Sequence, residues 1–154
     1  SSHPSTSSQP SSQPSSHPST SFRPTSQTNA QSNTICDSAC SSIRPAVLVS
    51  GISFKALVSS CLSGGVCEPG SPINCWNVSS VKDMSNAFRA QLLFNEPILC
   101  WDTSSVTNMD ALFYQASAFN QPIDSWKTSS VTSIEGMFAG ASTFNQPIDS
   151  WDTS

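Results

Sequence analysis

The residues of this 154-residue chain best equipped for covalent chemistry are six cysteines: Cys36, Cys40, Cys61, Cys67, Cys75 and Cys100. None lies beyond Cys100, no Cys-x-x-Cys pair occurs and no histidine is near them, so zinc ligation is disfavoured. An even count gathered at one end of a low-charge chain reads instead as disulfides made in an oxidising compartment. Cys75 and Cys100 each stand immediately before a tryptophan, one 25-residue period apart. Stacking at the interstrand spacing of about 4.8 Å would bring them within the 4.4–6.8 Å Cα range of a disulfide, which predicts a Cys75–Cys100 bond. For Cys36, Cys40, Cys61 and Cys67, two short loops (Cys36–Cys40 and Cys61–Cys67) and a crossed pairing are both open.

The other chemistry-bearing groups are sparse. Asp124 and Asp149 occupy one phase of the repeat, and a like-charged pair in neighbouring units can share a hard cation such as Ca²⁺. Two carboxylates fall short of its six or more oxygens, so solvated acids are the expectation and no metal or cofactor is assigned. A nucleophilic Ser or Cys needs a base to activate it, and both histidines, His3 and His17, sit in the N-terminal Ser/Pro stretch. Asp124 and Asp149 also recur as one template position, so they do not mark a glycosidase pair. The chain is expected to be non-catalytic. Asn77-Val78-Ser79 is an N-glycosylation sequon and fits a secretory route.

Composition explains why so little chemistry is available. Only 10% of residues are charged and 36% hydrophobic, with a net charge of −4. Nothing here neutralises phosphates, so nucleic acid is excluded as a partner, and no apolar run approaches the ~20 residues of a membrane span. With no initiator Met and no leader pattern, the chain reads as a mature or excised segment. Residues 1–34 are Ser, Thr and Pro rich, with Phe22 and Ala30 their only apolar side chains, and Ser7–Pro18 runs as three Ser-Ser-x-Pro tetrads. Backbone ordering there has no burial to offset it, so an extended, O-glycosylation-prone stalk is predicted.

The remaining residues are governed by a repeat. Trp76, Trp101, Trp126 and Trp151 are 25 residues apart, and Val81, Val106 and Val131 keep the same period. So do Phe88, Phe113 and Phe138, and Phe94, Phe119 and Phe144, the last three each opening Phe-Asn-[Glu/Gln]-Pro-Ile. Such a period marks stacked units that share one core, because a single unit buries too little to offset its own ordering. Met109, Leu112, Phe113 and Ala116 fall at i, i+3, i+4 and i+7, copied by Ile134, Met137, Phe138 and Ala141, which predicts a short helix. Asp83, Asn108 and Ser133 stand where an N-cap belongs. The Ser-Ser-Val-Thr run upstream is the expected short parallel strand. The predicted fold is therefore an α/β solenoid over residues 71–154, about three repeats and a truncated fourth. Asn95, Asn120 and Asn145 would form an amide ladder satisfying buried turn backbone, and Asn77, Asp102, Lys127 and Asp152 a column with one cation between acids.

Residues 35–70 are expected to be a Cys-rich helical cap, with Ser53 capping a helix whose stripe is Phe54, Leu57, Val58, Cys61 and Leu62 and which stops at Gly64-Gly65. The other end stops in mid-repeat, so further repeats or a second cap are expected to follow.

The pattern Trp-Asp-Thr-Ser-Ser-Val-Thr-x-Met-x-x-[Leu/Met]-Phe-x-x-Ala-x-x-Phe-Asn-Gln-x-Ile resembles the BspA-like surface-protein repeats, a divergent leucine-rich-repeat-type family. It spans about Pro72–Ser154 and fits Trp101–Ile123 closely; the first unit departs at Leu92, Leu93 and Glu96. The resemblance implies extracellular display and adhesion-type binding of a protein, matrix or glycan ligand, with no catalytic residues to carry over. A structural wall-associated glycoprotein, or the binding region of a larger enzyme, is the alternative.

Overall fold

A computed structural model describes residues 36–40, 44–65, 67 and 72–152. The stalk expected over residues 1–34, with His3 and His17, lies outside the described residues.

The expectation of a strand and a helix in every repeat is overturned. Among the described residues the regular elements outside one helical turn at 36–39 are an α-helix, α1 (Ile52–Leu62), and a 3₁₀ turn, Ile73–Cys75. No strand forms among the described residues; β-pairing there is confined to isolated parallel bridges, Ala46 with Asn77, Asp83 with Asn108, and Asn108 with Ser133. Each 25-residue unit is a coil of consecutive turns laid on the next.

The hydrogen bonds explain why no helix propagates. The N–H groups of Met84, Asn86, Phe88 and Ala90 donate to the carbonyls of Asn108, Asp110, Leu112 and Tyr114 in the following coil, at 2.8–2.9 Å. Between them, Ala87, Arg89 and Gln91 donate three residues back along their own coil, at 3.1–3.2 Å. The next coil does the same, with Met109, Ala111, Phe113 and Gln115 reaching Ser133, Glu135, Met137 and Ala139. Every second donor is thus claimed by a neighbour, whereas an α-helix needs all of them for its own i−4 carbonyls. Two positions per coil also have positive φ: Asn86 and Ala90, then Ala111 and Gln115, then Gly136 and Gly140. Spacing adds a steric reason. Ring centroids repeat at 5.3–6.4 Å along the stack, closer than the 8–10 Å that packed helices require.

The predicted strand fails for a local reason. Val81, Val106 and Val131 donate to the carbonyls of Val78, Thr103 and Thr128, closing a tight turn over each Ser-Ser pair. The Asn77 and Asp102 side chains reinforce it by accepting the N–H of Ser79 and Ser104, both at 3.2 Å. Two of the three residues expected as helix N-caps act in the same way, while Ser133 donates its hydroxyl to the Asp110 carboxylate. Asp83 and Asn108 accept the N–H two residues on, at 2.8 and 2.9 Å, in turns that no helix follows.

Burial nevertheless follows the apolar spacing. Met109, Leu112, Phe113 and Ala116 are fully buried, as are Val81, Val106, Phe88 and Phe119. Trp76, Trp101, Trp126 and Trp151 stack at 6.4, 6.1 and 6.4 Å with interplanar angles of 9°, 5° and 2°. Phe94, Phe119 and Phe144 form a second column at 5.8 Å, and Phe113 lies 3.9 Å from Phe119 across the coil. Val131, Phe138 and Phe144, in the last coil described, are partly buried against this core.

Helix α1 packs beside the first coil. It begins at Ile52, one residue before the predicted Ser53 cap, and Gly51 at φ 57 precedes it with no side-chain cap. The positive φ and the approach of Asp83 Oδ2, 3.1 Å from where a Cβ would stand, account for glycine there. Phe54 and Val58 are buried, with Leu57, Cys61 and Leu62 packed against the core, and Phe54 meets Trp101 edge-on at 5.9 Å.

The predicted Cys75–Cys100 bond does not form. Cys36 pairs with Cys100 and Cys40 with Cys75, at Cα separations of 5.5 and 5.4 Å, and Cys61 closes on Cys67. Same-phase side chains in a stack project side by side rather than toward each other, and a disulfide needs converging Cβ vectors. A helical turn, closed by Cys40 N–H to the Cys36 carbonyl at 3.0 Å, presents two cysteines four residues apart on one face. That spacing matches the distance between coils, so each cysteine clips one.

Candidate functional site

The polar residues of the repeat do two kinds of work, and most of it is structural. Buried Thr103 donates its hydroxyl to the Lys127 carbonyl at 3.1 Å and accepts the Lys127 N–H at 2.9 Å. Thr128 does the same for Asp152, at 3.1 and 2.9 Å. The outer hydroxyls point backwards along the stack. Thr107 and Thr132 donate to the carbonyls of Lys82 and Thr107, Ser117 to Leu92, Thr143 to Ser117 and Ser130 to Ser104, all within 2.7–3.1 Å. These bonds turn the hydroxyls of the repeat to the backbone of the preceding coil. In a stack with one-residue bridges, side chains replace the ladder that strands would have supplied.

The amide ladder forms. Asn95 Oδ1 accepts the Asn120 N–H, and Asn120 Oδ1 the Asn145 N–H, both at 2.9 Å. Gln121 Nε2 joins it through the Asn95 carbonyl at 2.8 Å, and Gln146 Nε2 through Asn120 Oδ1 at 3.0 Å. It runs along the surface, since Asn95 and Asn145 are exposed and Asn120 half-buried, rather than under it as expected.

The tryptophans carry a buried version of the same device. Nε1 of Trp101, Trp126 and Trp151 donates to the carbonyls of Ile73, Ile98 and Ile123, at 2.7, 3.2 and 3.2 Å. Trp76 begins the column, and its buried Nε1 has no partner among the described residues.

Charged side chains also reach outward. Lys127 Nζ lies 3.7 Å from Asp102 Oδ1, with both side chains about half exposed or more. The Asp102 carboxyl is held below its ordinary value: partial burial pushes it up, but the Ser104 hydrogen bonds and the Lys127 charge outweigh this. Arg89 places its guanidinium 4.3 Å from the centre of the Tyr114 ring, one coil on. Sequence reading missed this pair and the buried threonine clamps. Both were visible as same-phase columns, Arg89 with Tyr114 and Thr103 with Thr128. Leu92 and Leu93 are 56% and 91% exposed, at the point where the first unit leaves the template.

Asp124 turns to the next coil. Its Oδ1 accepts the Ser150 N–H at 3.2 Å and the Ser150 hydroxyl at 2.7 Å. Among the described residues, no three His, Cys, Asp or Glu side chains gather to hold a metal, and Asp149 brings no such group together with Asp124. Two open clefts, of about 370 and 280 Å³, flank Thr128 and Asp152 in the last coil described. The first is floored by Val131, Ile134 and Trp151; the second lies between Asp124, Lys127 and Ser150. No helix among the described residues is long and apolar enough to cross a membrane. The disulfides point to an oxidising environment.

No curated protein and no solved structure matches the chain. A family described as "Mycoplasma protein of unknown function, DUF285" matches residues 59–154, from within α1 through the last coil. With more than half of its length matched, the chain belongs to the DUF285 family.

Proposed function

We propose that this protein is an extracellular, surface-displayed repeat scaffold that binds a protein, matrix or glycan partner through the outer faces of its coils, without catalysis. The observation that carries this reading is the side-by-side registration of the coils. Backbone, threonine and amide bonds tie each coil to the next, so outward residues of one phase form columns with fixed spacing. A pre-ordered surface loses little entropy when a large partner docks on it, and stacked repeats offer such extended faces.

Two further features support it. The disulfides fit an oxidising setting outside the reducing cytosol. The resemblance to BspA-like surface repeats adds the adhesion-type role. Asp102, Lys127, Arg89 and Tyr114 are the candidate contact residues, because their outward groups are not consumed in holding one coil to the next backbone.

Binding of the full chain to immobilised matrix proteins and wall glycans tests the reading, alongside a chain lacking residues 1–34. Retention by the shortened chain, weakened by Arg89→Glu or Lys127→Glu, supports the scaffold. Retention that requires residues 1–34 supports the structural wall glycoprotein instead.

A further inference from the structure

We propose that Asn77 is an N-glycosylation site, modified on its side-chain nitrogen by an oligosaccharide transferred from a lipid pyrophosphate donor. The inference stands apart from the binding role, since it concerns what the chain carries and not what it recognises. Asn77-Val78-Ser79 is the only Asn-x-Ser/Thr triplet in the sequence. Its occurrence alone is weak, because a three-residue motif arises often by chance; the geometry adds the argument.

Asn77 Oδ1 accepts the Ser79 hydroxyl at 2.7 Å and the Ser79 N–H at 3.2 Å. Both bonds fall on the amide oxygen. They polarise the amide and leave Nδ2 without a partner among the described residues, on an exposed side chain. The hydrogen bonds span only two residues, so this arrangement is local and available to the chain before its coils are stacked.

Comparison with the other coils separates this from a turn requirement. Asp102 occupies the same phase and accepts the Ser104 N–H at 3.2 Å, so a carboxylate closes the same turn. The amide nitrogen of Asn77 is therefore surplus to folding. Lys127, at the same phase, carries a side chain 65% exposed, so the position directs even a long group into solvent. The Asn77 backbone is pinned independently: its N–H donates to the Pro45 carbonyl and its carbonyl accepts the Val47 N–H, both at 2.9 Å. An attached sugar would leave these bonds intact.

The step balances as a glycosyl transfer. Nδ2 forms a bond to the anomeric carbon, and the bond from that carbon to the pyrophosphate oxygen breaks. The electron pair leaves with the lipid pyrophosphate, and one amide proton is released. A host transferase supplies the catalysis.

The test is secretion of the full chain from a eukaryotic host, with peptide mass analysis before and after enzymatic removal of N-glycans. The expected result is one N-glycan, with Asn77 recovered as aspartate after its removal. Asn77→Asp and Ser79→Ala should abolish it, while Ser79→Thr keeps it, all in secreted protein with the same disulfides. Unmodified Asn77 in secreted, fully disulfide-bonded protein overturns the proposal. So does an N-glycan that persists in Asn77→Asp, or undiminished occupancy in Ser79→Ala.

Discussion

Thr103 and Lys127 are joined twice through one buried hydroxyl, which donates to the Lys127 carbonyl at 3.1 Å and accepts its N–H at 2.9 Å. An apolar replacement of the same shape removes both bonds and leaves a buried donor and acceptor unsatisfied. Thr103→Val should therefore lower stability by about 1–3 kcal/mol. Thr103→Ser keeps both bonds and loses one methyl, costing about 0.8 kcal/mol. Urea unfolding of the two variants checks the order; equal midpoints would show that the clamp contributes nothing.

The left-handed positions give a test with the opposite sign. Ala111 has φ 50, and the residue one period later is Gly136, at φ 60. An L side chain there carries about 1–2 kcal/mol of strain, against roughly 0.5–1 kcal/mol of extra unfolded-state entropy for glycine. Ala111→Gly should thus raise stability by several tenths of a kcal/mol, and Gly136→Ala should reduce it. A β-branched residue at position 111 should cost more than either.

Asp102 links stability to pH. Its carboxyl sits below its ordinary value of 3.8 in the folded protein, so the unfolded chain binds the proton more readily. The contribution is present above that value and is lost as pH falls through the lower, folded one. Acid unfolding of Lys127→Met and Ser104→Ala should begin at a higher pH than that of the native chain. Added salt should narrow the gap for Lys127→Met, because the pair is exposed to solvent.

The disulfide pattern is checked by peptide mapping without reduction. Cys36 should be recovered with Cys100, Cys40 with Cys75, and Cys61 with Cys67. A Cys75–Cys100 peptide pair would contradict the fold at its cap. Cys40→Ser with Cys75→Ser should lower stability by about 2–4 kcal/mol, since the bond closes a long loop in the unfolded chain.

Much of the core was legible because burial follows a period that side chains alone declare. The 25-residue recurrence of tryptophan, valine and phenylalanine named the residues that stack, and the Phe54–Leu62 stripe named a helix that forms. Conformation was less legible. The i, i+3, i+4, i+7 spacing of Met109, Leu112, Phe113 and Ala116 suits a helix, yet a run of three-residue turns buries the same four side chains. Nothing within one repeat distinguishes the two. The hydroxyls were equally illegible: nothing within one repeat says that those of Thr107, Ser117 and Thr132 bond carbonyls one coil away.

The amino-acid order alone determined which side chains share a column and which end of the chain is cross-linked, because equal spacing forces equal environments once units stack. Tertiary structure decided the backbone path and the cysteine partners. Each depends on the separation between coils, near 6 Å at the tryptophans, which is too small for neighbouring helices and leaves same-phase cysteines side by side. That distance is set by packed rings and by N–H groups reaching the next coil, interactions that exist only after the units have met.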